Sequence, residues 1–241
     1  MALVTGSSRG IGRACALALA ARGLHVAVHY NAGAPEAQSV ADEIARITKA
    51  QIFQADLSQP GAAASLVEAV ATTLGPPTVL VHAAGHIVEK PLAFSSQSDW
   101  DGLFNVHAFS GAALAKALLR YARKTDDGRI VFISSLAAVS GLGNGAAYAA
   151  AKGALQGLTM SLALEAARWK TTVNCVAPGY ITTAMTAHHD AEHRAASMAK
   201  IPLGRYGEPG DVAGLVAYLC SPAAGWLTGQ TIVLDGGMSL G

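Results

Sequence analysis

Charged side chains are scarce in this chain, making up 14% of its 241 residues and summing to a formal net charge of +1. A protein that tracks a polyanion needs a basic face, so this balance excludes nucleic acid as a main partner. Cysteine is nearly absent as well. Cys15, Cys175 and Cys220 stand far apart in apolar segments without metal-ligand spacing, and read as buried thiols of a reducing compartment. No apolar run reaches membrane-spanning length, and a strand pattern that begins at residue 2 leaves no room for a signal peptide. The expected location is the cytoplasm. Linkers, low-complexity tracts and repeats are missing too, which leaves one domain over residues 1–241.

Apolar residues and glycine are what the chain has in quantity: 51% hydrophobic residues and 26 glycines, enough to bury a large core. Strand-like runs at 2–5, 25–29, 51–54, 78–82, 129–134, 171–176 and 230–234 alternate with helical stretches. Such alternation predicts an α/β fold, a single-domain Rossmann-like doubly wound parallel sheet of about seven strands with helices on both faces. Ligands of such sheets bind beyond the C-terminal ends of the strands.

Three residues carry the chemistry. If Tyr148 opens a helix, Lys152 lies one turn along on the same face, where its charge lowers the phenol's pKa and makes it an acid near neutral pH. Ser135 follows the apolar run 130–133 and would hydrogen-bond a substrate oxygen while Tyr148 protonates it. The hydride then comes from elsewhere. A candidate source is the N-terminal strand 2–4, followed by Thr5-Gly6-Ser7-Ser8-Arg9-Gly10-Ile11-Gly12 and by the run 15–21, which reads as a helix. Glycines at 6, 10 and 12 let backbone approach a pyrophosphate at a helix N-terminus. Their spacing differs from the commoner Gly-x-Gly-x-x-Gly.

Taken in order, Thr5 to Gly12, Asp56-Leu57, Ala84-Gly85, Ser135, Tyr148 to Lys152, Asn174 and Pro178-Gly179 resemble the motifs of the short-chain dehydrogenase/reductase family, nearest its bacterial 3-oxoacyl-[acyl-carrier-protein] reductases. The resemblance spans residues 2–238 and implies an NAD(P)-dependent oxidoreductase that assembles as a homotetramer. It places Gly6, Ser8, Arg9, Gly10, Ile11 and Gly12 on the pyrophosphate side of the cofactor. Asp56 and Leu57 fall at the adenine, where Asp56 has a second reading as a helix cap. Ala84 and Gly85 admit the cofactor backbone, and Pro178, Gly179, Ile181 and Thr183 would fix the nicotinamide beside Tyr148 and Lys152. After the second strand the chain reads His29-Tyr30-Asn31-Ala32, with no carboxylate to repel a phosphate. Arg9, with Asn31 and Ser7 as neutral donors, therefore points to NADPH.

Two departures from the family pattern stand out. The fourth-strand motif, usually Asn-Asn-Ala-Gly, is His82-Ala83-Ala84-Gly85, and the position of the family's catalytic asparagine holds His107, not Asn105. In the family that asparagine's backbone carbonyl holds a water linked to the lysine. His107 therefore has two readings, a proton-relay residue or a structural partner of His82. His189 and His193 have the spacing of zinc ligands on a helix, yet no further ligand accompanies them, and residues 182–200 read instead as a substrate lid with His188 and Met198.

The substrate is open. Acyl carrier protein, an acidic partner, needs a basic landing patch, and Arg120, Arg123, Lys124 and Arg129, with Arg168 and Lys170, offer one. The same charges also read as solvated helix ends, and Thr125-Asp126-Asp127 and Trp169 interrupt them. Three functions stand: a 3-oxoacyl carrier-protein reductase, a reductase or dehydrogenase of a free ketone, sugar or cyclic alcohol, and a non-catalytic nucleotide-binding module. Small residues along 146–168 suit close helix packing, against the sheet or between subunits.

Overall fold

Short apolar and β-branched runs become strands, and the computed structural model, which describes residues 1–187 and 190–240, joins them in one sheet. Among the described residues these strands are β1 (Ala2–Thr5), β2 (Val26–Tyr30), β3 (Ala50–Gln54), β4 (Val79–His82), β5 (Arg129–Ile133), β6 (Thr172–Pro178) and β7 (Thr231–Leu234). Their order is β3-β2-β1-β4-β5-β6-β7 and every pairing is parallel. Leu3 lies between Ala27 and Leu80, and Val131 between Val81 and Asn174. The chain's winding reverses between β1 and β4, and a crevice opens there at the C-terminal edge.

Helices cover both faces. They are α1 (Gly10–Ala20), α2 (Ala34–Ala45), α3 (Ala62–Thr73), α4 (Gln97–Phe104), α5 (Ser110–Ala122), α6 (Ala137–Ser140), α7 (Ala146–Ala166), α8 (Ala191–Met198) and α9 (Pro209–Leu219). Alternate strand residues point to opposite sides, so Ala2, Val4, Val28, Val81 and Val131 pack with α1, α2 and α9, through Leu19, Ile44 and Val216. Leu3, Leu80, Ile130 and Phe132 pack with α3, α5 and α7, through Val70, Leu118 and Leu155. Burial on both faces explains why the strands read as continuous apolar runs.

The expected strands are all found, with three local differences at element ends. Helix α1 begins at Gly10 rather than near residue 15, so two of the turn's glycines belong to its first turn. Strand β6 runs on to Pro178, which pairs with Leu234 at a strand end where the missing N–H costs least. The long helix stops at Ala166 and tightens into a 3₁₀ turn over Ala167–Trp169, after which Lys170 turns left-handed at φ 52°.

The membrane criterion needs a correction. Helices α4 and α5 are continuous through a π-helical turn at Asn105–Phe109, and together they form a 26-residue helix in which an 18-residue window reaches a mean hydropathy of 1.2. By length and composition alone this helix passes for a membrane span. Half of its apolar window is buried inside the protein, and the helix as a whole carries Asp99, Asp101, Lys116 and Arg120.

Phe132 is fully buried between the sheet and α5. Truncation there leaves a void that packed neighbours cannot fill. Phe132→Ala is expected to cost about 3–5 kcal/mol in a urea titration. A loss below about 1 kcal/mol would contradict this placement of the core.

Candidate active site

The glycine turn closes on itself. Gly6 adopts φ 65° and lies so near the fourth strand's end that a Cβ there would come within 2.7 Å of Ala84 Cα. A Cβ on Gly12 would meet the Gly6 carbonyl oxygen at 2.3 Å. Side chains are excluded at both positions, and a cradle of bare backbone faces the start of α1, whose first turn carries no acid. Arg9 is the exposed N-cap of that helix and Ser8 stands half-buried beside it.

Buried polar residues brace this turn from below, and sequence reasoning assigned none of them a role. His29 Nδ1 accepts from Gly6 N–H at 3.1 Å, so its proton sits on Nε2, which donates to the Ala55 carbonyl at 3.0 Å. Burial pushes its pKa down to about 4. The neutral ring thus bolts the glycine turn to the end of β3. Thr5 Oγ1 accepts from the amides of Ala83 and Ala84, both at 3.1 Å, and ties the turn to the end of β4. The available signal was a polar residue at or next to the end of an otherwise apolar strand, Thr5 in β1 and His29 in β2.

Ser135, Tyr148 and Lys152 meet at the C-terminal edge of β5. Lys152 is buried, and its ammonium donates to the Ile133 carbonyl at 2.8 Å while its own carbonyl accepts from the Ser134 hydroxyl at 2.9 Å. Tyr148 is buried one turn before it and hydrogen-bonds to Ser135, whose Oγ also accepts from Ala137 N–H at 3.1 Å. The electrostatics differ from expectation. Burial holds the phenol above its ordinary pKa, opposed by the Ser135 hydrogen bond, while Lys152, whose Nζ stands 5.8 Å from the ring centroid, is not among the groups that lower it. Tyr148 is therefore kept protonated, which is the state a proton donor starts from.

His107 lies against this group. Its ring meets the Tyr148 ring edge-on at 5.7 Å between centroids and donates from Nε2 to the His86 carbonyl at 2.9 Å. Burial, reinforced by the Lys152 charge, lowers its pKa well below the ordinary value. The imidazole is neutral at physiological pH, so it adds no group that titrates there. The expected pairing of His82 with His107 does form, but through the backbone: His82 Nε2 donates to the His107 carbonyl at 3.0 Å. Gly85 makes room for the ring, since a Cβ there would sit 2.0 Å from His107 Cε1.

A cavity of about 480 Å³ opens above Ser135 and Tyr148, walled by Ile87, Leu142, Tyr180 and Met185 among others. The lid expected over residues 182–200 contributes His193, which meets Tyr180 edge-on at 6.4 Å. Helix α8 is docked by Ser197, 2.6 Å from the Tyr206 hydroxyl, and by Arg194 stacked 4.6 Å from the Tyr206 ring. His188 and His189 lie outside the described residues. Pro178, Gly179, Ile181 and Thr183 follow β6 along the same edge, and Thr182 Oγ1 between them is buried with no partner among the described residues. Asn174 holds β6 to the next segment by donating to the Leu227 carbonyl at 2.7 Å and accepting from Gln230 N–H at 3.2 Å.

Several expected roles do not survive the geometry. Asp56 caps no helix: its carboxylate accepts from Ser58 N–H and Oγ in a local turn, while α3 starts from Gly61. Its neighbour Leu57 is buried in the core and Asn31 is exposed beyond the end of β2, which conflicts with neither the adenine nor the 2′-phosphate role that the resemblance implies. Ser7 is no phosphate donor, because its hydroxyl is fully buried and donates to the Val4 carbonyl at 2.8 Å. Arg129 is no part of a landing patch either. Its guanidinium is buried, bonded to the Gly128 carbonyl and paired with Asp127 at 2.6 Å. Lys170 pairs with Asp126 at 3.1 Å. Arg120, Arg123, Lys124 and Arg168 are exposed, but they precede the starts of β5 and β6 and so lie at the N-terminal edge, opposite Tyr148 of the same chain.

Burial lowers the Lys152 ammonium from 10.5 to about 8. Unfolding restores an ordinary lysine, so from about pH 8 to 10.5 the unfolded chain binds more protons and this residue's contribution to stability rises with pH. Below that window the folded protein carries the whole cost of a buried charge, on the order of 3 kcal/mol. Denaturation of Lys152→Met and the unaltered protein at stepped pH should show the variant's relative stability greatest below pH 8 and declining towards 10.5. A flat difference would contradict a buried ammonium.

Residues 6–239 match the family described as enoyl-(acyl carrier protein) reductase. Among curated relatives, the 3-oxoacyl-[acyl-carrier-protein] reductase FabG of Escherichia coli is 37% identical over 238 residues, covering 99% of this chain and 96% of that protein. The crystal structure of acetoin dehydrogenase YohF from Salmonella typhimurium is 36% identical with a TM-score of 0.92, covering 100% of this chain and 97% of its own. That of a putative short-chain alcohol dehydrogenase from Sinorhizobium meliloti is 35% identical with a TM-score of 0.95, covering 99% and 96%. Sheet order, glycine cradle and full-length similarity agree, and the chain belongs to the short-chain dehydrogenase/reductase family of nicotinamide-dependent oxidoreductases.

Proposed function

We propose that this chain is an NADPH-dependent reductase of 3-oxoacyl thioesters, presented by acyl carrier protein in fatty acid, polyketide or polyene synthesis, giving the 3-hydroxyacyl product. The observation that carries the chemistry is the meeting of Ser135 and Tyr148 in one cavity at the crevice edge, with Lys152 buried one helical turn behind Tyr148. Similarity to FabG supports the thioester.

The cradle formed by Gly6 and Gly12 and the orphaned Thr182 hydroxyl both fit a dinucleotide. Gly6, Ser8, Gly10, Ile11 and Gly12 would hold its pyrophosphate at the start of α1, and Arg9 with Asn31 an adenosine 2′-phosphate. Asp56 and Leu57 fall at the adenine, Ala84 and Gly85 beneath the ribose chain, and Pro178, Gly179, Ile181 and Thr183 at the nicotinamide. The bound nicotinamide supplies hydride. The chain's own residues do the rest: Ser135 and Tyr148 orient the ketone oxygen, Tyr148 gives it a proton, and the buried Lys152 charge stabilises the phenolate that remains. His107 belongs to the proton path behind Lys152.

A second reading is the reduction or oxidation of a small hydroxyketone. It is favoured by the acetoin dehydrogenase likeness and by Asp126 and Asp127, which neutralise charges a carrier protein would use. Carrier docking at the remaining basic residues serves a site only in a second copy, if a two-fold axis pairs the helices antiparallel. The exposed Met160 and Leu164 on α7 support such a contact within the proposed homotetramer.

NADPH oxidation with acetoacetyl carrier protein, acetoacetyl thioester and, in the reverse direction, acetoin decides among these. Carrier-bound substrate should be favoured, and Tyr148→Phe should lower kcat by at least about 100-fold. Turnover of acetoin alone would replace the thioester reading, and no turnover at all would leave a nucleotide-binding module. Arg9→Ala should raise the KM for NADPH at least about tenfold more than that for NADH. Equal effects would refute the phosphate assignment.

A further inference from the structure

Hydrogen-bond directions around the fourth strand can be worked out from the donors alone. Thr5 Oγ1 already accepts two amide N–H groups, so its own proton is free for His82 Nδ1, 2.9 Å away. A bare Nδ1 in a neutral ring places the proton on Nε2, and that N–H meets the His107 carbonyl at 3.0 Å. The ring is fully buried, and burial pushes its pKa down to about 3. In the π-helical turn Ser110 N–H is shared between the Asn105 and His107 carbonyls, so Val106 loses its regular partner and accepts from the Ser110 hydroxyl at 2.6 Å. With His82 on one side and Ser110 N–H on the other, both lone pairs of the His107 carbonyl are engaged.

His107 itself is fixed in the same tautomer. Its Nε2 donates to the His86 carbonyl, so Nδ1 is a bare acceptor, buried, with no partner among the described residues. Leaving such an acceptor unsatisfied costs about 1–3 kcal/mol. The groups around it are Tyr148 and Lys152 from α7, His82 from β4 and His86 from the following loop, with Glu89 the carboxylate that acts on Tyr148. Of these, Lys152 has donors to spare, one N–H being placed on Ile133 and two remaining. Both neighbour Tyr148, whose ring centroid is 5.7 Å from that of His107 and 5.8 Å from Lys152 Nζ, and the Lys152 charge acts on the His107 ring.

We propose that His82 is a positioning residue that occupies the His107 carbonyl, and that His107 Nδ1 is the acceptor which holds a water bonded to the Lys152 ammonium. The link behind Lys152 then runs through a side chain rather than through helix backbone. The two histidines form one device, since His82 closes the backbone site and His107 opens the imidazole site. Because His107 Nε2 ends on a carbonyl, the ring anchors the water and does not conduct protons through itself. This rests on the reductase reading for its kinetic consequence, but not for its tautomers.

The test combines nitrogen NMR of the ¹⁵N-histidine-labelled protein with kinetics of three variants. Both His82 and His107 should show protonated Nε2 and bare Nδ1, without titration across neutral pH. His82→Phe should lower kcat by about tenfold and displace the pH profile of kcat, with the affinity for NADPH unchanged, and His82→Asn should restore both. His107→Gln, which keeps a donor towards the His86 carbonyl, should lose kcat without losing NADPH affinity. An Nδ1–H tautomer at either histidine overturns the proposal, whatever the substrate proves to be. So does a His82→Phe enzyme whose kcat and NADPH affinity fall together with an unmoved pH profile, because that is the mark of a purely structural residue. Absence of turnover in the unaltered protein would sink the reductase reading and leave the tautomer result standing.

Discussion

Everything at the site is arranged around one buried cation. Lys152 has almost no contact with solvent, and its ammonium is held by the carbonyl of Ile133, the last residue of β5. A charge in that position is costly unless dipoles and hydrogen bonds surround it. The strand end supplies one carbonyl, the adjacent Ser134 hydroxyl fixes the lysine's own backbone, and Tyr148 covers the stem one helical turn away. Burial leaves the ammonium near pKa 8, still charged at neutral pH but poised to exchange a proton. The same burial keeps the Tyr148 phenol protonated. One desolvated pocket thus prepares an acid and the cation that stabilises its conjugate base.

Neutral imidazoles do the bracing around that pocket. His29 joins the glycine turn to β3, His82 joins β4 to the π-helical turn, and His107 joins that turn to the loop after β4. Each ring accepts at one nitrogen or leaves it bare, and donates at the other to a backbone carbonyl, so a single side chain spans two elements. Protonation would put a second donor on the accepting side and break these links at His29 and His82. Burial prevents this by moving each ring's pKa far below neutrality. An asparagine, which the family usually has at two of these positions, performs a similar bridge with a shorter reach and no titration.

Much of this was legible beforehand. Apolar runs separated by helical patterns foretold the parallel sheet, because a strand covered on both faces has no polar alternation to confuse with a surface strand. Glycine positions foretold the cradle, since left-handed backbone at Gly6 and sub-van der Waals approach at both Gly6 and Gly12 tolerate nothing larger. What escaped the sequence was direction. Ser7 looked outward in a motif but turns inward to Val4, Arg129 looked like a surface charge but is buried against Gly128 and Asp127, and Asp56 looked like a cap but closes its own turn.

The sequence by itself determined the fold, the glycine turn and the trio Ser135, Tyr148 and Lys152, because these follow from local periodicity and from residue types that few environments accept. Only the tertiary structure decided the protonation states and the partners of the histidines, and which edge of the sheet the basic residues occupy. Those depend on desolvation and on contacts between segments far apart in the chain, such as Thr5 with His82 and His82 with the His107 carbonyl. Periodicity along a chain carries no record of either.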